Sequence, residues 1–113
     1  MSNQASVVDA ILKVIAERKA MPAGSRSYVR SLLDGGVPAM GAKITEEAAE
    51  VVEAADEPGA AGHEHLVKEI CDLLFHTLVL MGHADVMWSE IESELARRFG
   101  VSGLDEKASR NSG

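Results

Sequence analysis

Apolar residues recur along this chain in blocks with helical spacing, and nowhere alternate convincingly enough for a strand. Val7, Val8, Ile11, Leu12, Val14 and Ile15 predict an amphipathic helix over 7–19, with Arg18 and Lys19 at the end where cations suit the dipole. Pro22, Gly24, Ser25 and Ser27 break it. A short second helix is expected over 28–34, stopped by Gly35-Gly36. Pro38 suits the first turn of a third helix that continues to about Asp56, ahead of Pro58-Gly59. After a turn at 59–62, a fourth helix over about 63–82 carries Leu66, Val67, Ile70, Leu73, Leu74, Phe75, Leu78, Val79 and Met81. It is apolar nearly all round, the mark of a central helix. Asp85 is expected to cap a fifth helix that ends near Phe99, with Trp88, Ile91, Leu95 and Phe99 on one stripe. The architecture predicted is all-α, a bundle of about five helices in a single domain over 1–113. A chain of this size buries only a modest core, so a core completed by dimerisation through the third and fourth helices is expected.

Composition narrows the function. The net charge of −7 leaves no basic stripe for phosphates, which argues against nucleic acid as a primary partner. No apolar run approaches a membrane span or a signal sequence, and the single Cys71 makes no internal disulfide, so a cytosolic protein is expected. Cys71 falls on the side of its helix away from Glu69 and Asp72 and is expected to be a small buried core residue. On composition the tail 101–113 reads as a loosely ordered terminus.

The candidate chemistry is carboxylate chemistry. On the third helix Glu46, Glu47 and Glu50 fall within an arc of about 100°, with Lys43 inside it. Glu47 and Glu50 are an i, i+3 pair, and Glu69 and Asp72 form a second one on the next helix. Alone, the first set would be a solvated face. The second pair changes that, because carboxylates in an otherwise apolar helix need a partner. Side by side, the two helices would offer four carboxylates to one point, and a divalent cation is the simplest resolution. An all-oxygen set suits Mg²⁺, or Mn²⁺, rather than zinc. Mg²⁺ binds through a few carboxylates plus substrate phosphates, so a polyphosphate substrate is implied. Glu46 is the spare carboxylate. It could support a ligand, hold a further metal or act as general base, with the base ranked slightly ahead. The chain has no Gly-rich phosphate loop, so phosphate contacts fall to Lys43, Arg26 and the tail cations Lys107 and Arg110. His63, His65, His76 and His83 match no zinc spacing. His76, one to two turns beyond Asp72 and Glu69 on the same side, is expected to be a packing or interfacial histidine.

Glu46-Glu47-x-x-Glu50 followed by Glu69-x-x-Asp72 resembles the metal signature of the all-α nucleoside triphosphate pyrophosphohydrolases, a superfamily that includes MazG-like enzymes and dimeric dUTPases. Three further stretches are similar to one branch of it, the phosphoribosyl-ATP pyrophosphohydrolases of histidine biosynthesis. They are 24–33 with its Ser27-Tyr28, 72–80 with Asp72-Leu73-Leu74-Phe75-His76, and 102–110 with Glu106-Lys107-Ala108-Ser109-Arg110. The resemblance runs from about Val7 to Arg110. It implies hydrolysis of phosphoribosyl-ATP to phosphoribosyl-AMP and pyrophosphate with Mg²⁺ held by Glu47, Glu50, Glu69 and Asp72, and a separate enzyme for the following cyclohydrolase step. The alternatives are a house-cleaning nucleotide pyrophosphatase of the same superfamily, which the tail disfavours, and a non-catalytic dimerisation module, which an activity assay separates.

Overall fold

The computed structural model describes residues 6–100, so Lys107, Arg110 and the rest of the tail 101–113 lie outside the described residues. Four α-helices and no strand are found among the described residues: α1 (Val7–Lys19), α2 (Tyr28–Ala55), α3 (Gly59–His83) and α4 (Trp88–Phe99). About five helices were expected and four elements are found, because α2 takes in both the second and the third predicted helix. The two parts meet where they were expected to, at a kink at Gly36, whose φ 69° and ψ −164° are not helical. That backbone region is essentially restricted to glycine. Pro38 follows two residues later, where a missing N–H suits a helix that is restarting.

Each boundary has a local cause. The Asp9 N–H donates to Ser6 Oγ at 3.1 Å to start α1, and the Arg30 N–H donates to Ser27 Oγ at 3.1 Å to start α2. Pro58 precedes α3, which begins at Gly59 rather than near His63 as expected. Asp85 does not cap the last helix. It takes φ 59° in the connection and pairs with Lys19, while Met87 is the capping residue, its N–H donating to Glu90 Oε2 at 2.9 Å.

Packing is dominated by α2 against α3, which run antiparallel as a long hairpin, with α1 laid across both. The core is built from Ile15 on α1, Val29, Leu32, Leu33 and Met40 on α2, and Leu78, Val79 and Met81 on α3. Only the last part of α3, from His76 to Met81, is thus central within one chain. Val67, Ile70 and Leu74 before it are exposed, as is Val52 on α2. Cys71 is exposed as well, so the expectation of a buried core cysteine fails: it lies on the part of α3 that its own chain leaves uncovered. Two long cations tie helix ends together. The Arg30 Nη1 donates to the carbonyls of Lys19 and Met21 at 2.9 and 3.1 Å, and Lys19 Nζ donates to the carbonyls of Gly82 and His83 at 3.0 and 3.3 Å. After Asp85 the chain turns by 111° into α4, on which no residue is buried. No single helix among the described residues is long and apolar enough to cross a membrane.

Candidate metal centre

The α2–α3 hairpin brings three of the four expected ligands together. One carboxylate oxygen from each of Glu47, Glu50 and Glu69 lies within 4.8 Å of the others. Glu47 is buried, and Glu50 and Glu69 are half-buried. Asp72, one turn beyond Glu69, is exposed and its carboxylate is not one of the three. Its backbone carbonyl accepts a bond from His76 Nδ1 at 2.9 Å.

Crowding shows in the proton affinity of the cluster. The Glu50 carboxyl is held above its ordinary range, first by a hydrogen bond shared with Glu69, then by burial and by the negative charges of Glu69, Glu46 and Glu47. Glu69 Oε1 is buried and has no hydrogen-bond partner. A buried carboxylate oxygen without a partner is costly, and a cation beside it removes the cost. The donor set is all oxygen, so the residues present fit Mg²⁺ or Mn²⁺.

Two histidines stand behind the cluster. Glu69 Oε2 lies 3.1 Å from His65 Nε2, and His65 Nδ1 lies 2.9 Å from Glu57 Oε1. The bond to Glu57 is the main reason the His65 imidazole holds its proton above its usual range, with a smaller contribution from Glu69. His76 is buried, as expected of a packing histidine, yet its Nδ1 lies 2.5 Å from Glu47 Oε1 and its Nε2 lies 2.8 Å from the Tyr28 hydroxyl. Sequence reasoning missed this engagement with Glu47. The available signal was the placement of His76 one turn beyond Asp72 on the same face. Lys43 Nζ donates to Glu46 Oε1 at 3.4 Å. That pairing raises the Lys43 ammonium above its ordinary range. Glu46 is exposed, and Arg26 is exposed in the loop between α1 and α2.

The family model described as phosphoribosyl-ATP pyrophosphohydrolase matches residues 8–99. The chain belongs to this family. Among curated relatives it is similar to the phosphoribosyl-ATP pyrophosphatase of Rhodopirellula baltica, 47% identical over 91% of this chain and 85% of the relative. The protein of the same name from Geobacter metallireducens is 48% identical over 97% of both chains, and that of Geobacter sulfurreducens 45% identical over 98% of this chain and 99% of the relative. The acidic hairpin of α2 and α3 lies wholly inside the family's matched region.

Proposed function

We propose that this chain hydrolyses phosphoribosyl-ATP to phosphoribosyl-AMP and pyrophosphate, the second step of histidine biosynthesis, at the carboxylate cluster between α2 and α3. The observation that carries it is the convergence of Glu47, Glu50 and Glu69, with Glu69 Oε1 buried and unpartnered, in a chain of the phosphoribosyl-ATP pyrophosphohydrolase family. Glu47, Glu50 and Glu69 hold the cation, and Asp72 supplies a fourth carboxylate from the next turn of α3. When bound, Mg²⁺ neutralises phosphate charge and stabilises the departing pyrophosphate. Glu46 is assigned as the base that takes a proton from the attacking water. The support for this is that Glu46 lies one turn before Glu50, whose carboxyl its negative charge helps to raise, and that Lys43 Nζ donates to one of its oxygens at 3.4 Å. Lys43, Arg26, Lys107 and Arg110 are assigned to the triphosphate and the ribose 5-phosphate, which together carry more charge than a cation alone offsets.

A homodimer of MazG-like arrangement in the cytosol belongs to the same reading. Val52, Val67, Ile70 and Leu74 form an apolar surface on the hairpin that carries the site. The radius of gyration, 17.3 Å, exceeds the roughly 13 Å of a closed domain of about 100 residues. An open single chain with an apolar face is what half of a dimer looks like. The test is pyrophosphate release by purified protein with Mg²⁺, comparing phosphoribosyl-ATP with ATP and dUTP. Turnover is expected on phosphoribosyl-ATP. Preference for an ordinary nucleotide would favour the house-cleaning alternative, and folded but inert protein the non-catalytic module. Sedimentation at micromolar concentration is expected to show a dimer, and a stable monomer would refute that part.

A further inference from the structure

Glu47 is the most buried member of the cluster, and its surroundings are more elaborate than metal binding alone requires. Its side chain is 9% exposed and that of its neighbour His76 8%. Glu47 Oε1 and the Asp72 carbonyl both accept from His76 Nδ1, at 2.5 and 2.9 Å. Neither of those groups has a proton to give when Glu47 is ionised, so Nδ1 carries it. In the neutral ring the Tyr28 hydroxyl then donates to Nε2, at 2.8 Å. The imidazole is also walled by aromatic edges, with the Phe75 ring centroid at 5.2 Å and 73° and the Tyr28 centroid at 5.8 Å and 81°. Held at both nitrogens and packed edge-on against two rings, it cannot turn without breaking several contacts.

The placement of the three residues gives the arrangement its use. Tyr28 opens α2 ahead of the bend at Gly36, Glu47 lies beyond it, and His76 comes from α3. The chain of bonds therefore spans both halves of the bent helix by way of its partner, and it ends on a carboxylate oxygen of the cluster. We propose that Tyr28 and His76 are positioning residues. They hold the Glu47 carboxylate from behind in one orientation, so that cation affinity at the cluster depends on a hydroxyl and an imidazole that do not touch the cation. The inference rests on the cluster being a cation site, as proposed above. The alternative is that His76 is ordinary core packing whose polar atoms are merely satisfied.

Mn²⁺ binding to otherwise metal-free protein, followed by electron paramagnetic resonance, separates these. Tyr28→Phe removes only a hydroxyl from a residue that is 52% exposed, and its metal-free melting temperature is expected to fall by no more than a few degrees, the scale of one lost hydrogen bond. Losing one hydrogen bond from the chain should weaken Mn²⁺ about two- to tenfold. His76→Leu should weaken it about 10- to 100-fold, the usual effect of removing a group behind a metal ligand. His76→Asn sets an amide N–H where Nδ1 stood and is expected to recover most of that loss, which a volume effect would not do. Wild-type affinity in Tyr28→Phe, together with no difference between His76→Asn and His76→Leu, would overturn the proposal. If His76→Leu fails to fold, Tyr28→Phe decides alone. Wild-type protein that binds no Mn²⁺ would instead overturn the cation site itself, and this inference with it.

Discussion

Replacing Glu69 by Gln removes one of three gathered carboxylates at nearly constant volume, and the amide oxygen can still accept from His65. Ligand linkage sets the size of the effect. At Mg²⁺ about 100 times its dissociation constant, binding to the folded state alone stabilises by about 2.7 kcal/mol. An unfolding entropy of about 2.1 cal/mol/K per residue gives about 0.24 kcal/mol/K for a chain of 113 residues. The wild-type melting temperature should therefore rise by about 11 °C at that concentration. Groups behind a ligand alone command 10- to 100-fold in affinity, so loss of a ligand should cost at least about 100-fold. What is left at the same Mg²⁺ is about 0.4 kcal/mol, a rise of about 2 °C. The metal-free variant, by contrast, should melt no lower than wild type. It has lost a buried unpartnered oxygen and the charge that pushes the Glu50 carboxyl up. The assay is thermal unfolding against MgCl₂ or MnCl₂, referenced to EDTA and to KCl at matched ionic strength. A Glu69→Gln variant that keeps the full wild-type rise would refute the ligand assignment. A wild-type protein that gains no more from Mg²⁺ than from K⁺ would refute the site.

Because the Glu50 carboxyl is raised above its usual 4.5, its contribution to metal-free stability is fully present below that pH and is lost as pH rises through the raised folded-state value. Glu50→Gln should flatten that slope when melting is followed against pH in EDTA, and an unchanged slope would refute the assignment. A Cβ on Gly82 would lie 2.5 Å from Ile15 Cγ2, so Gly82→Ala should destabilise by about 1–3 kcal/mol by forcing α1 from α3. Its cost should be less than additive with Ile15→Ala in denaturant titrations, and strict additivity would place the strain elsewhere. Truncation after Leu104 removes Lys107 and Arg110 and should raise the KM for phosphoribosyl-ATP markedly, with melting temperature and sedimentation unchanged. Wild-type kinetics would remove both cations from the substrate's contacts.

What could be read from the chain followed the range of the interaction responsible. α1 was legible to its ends because its apolar spacing begins at Val7 and because Arg18 and Lys19 act within its last turn. The stop placed at Gly35-Gly36 was legible because a glycine at positive φ interrupts the helix locally, and the kink falls at Gly36. Arg30 and Lys19 carried no local signal for their strongest contacts, since the carbonyls they cap belong to other helices or loops. The exposure of Cys71, Val67 and Leu74 escaped for a related reason: periodicity shows that a face is apolar, not whether the rest of its own chain covers it. The carboxylates were legible because i, i+3 pairs on adjacent helices constrain geometry before any tertiary detail is known.

The register of the hairpin explains why the cluster contains these residues. Glu50 and Glu69 lie the same number of residues before and after the Gly59–Ala60 step, and so do Glu47 and Asp72. In an antiparallel pair of helices with equal rise, each set stands at one height. The turn that fixes this count is tight, because a Cβ on Gly62 would lie 2.2 Å from the Glu57 carbonyl oxygen. Glu50 meets Glu69 directly in consequence, and Asp72 stands level with Glu47. At that height the approach to Glu47 from α3 is taken by His76, one turn further on, which draws on the Asp72 carbonyl as well. Asp72 therefore stands at the level of Glu47 with its backbone carbonyl engaged by His76, and it is exposed and outside the gathered three. The three gathered carboxylates and an exposed Asp72 are a donor set that suits a cation whose remaining positions are taken by water or phosphate oxygens.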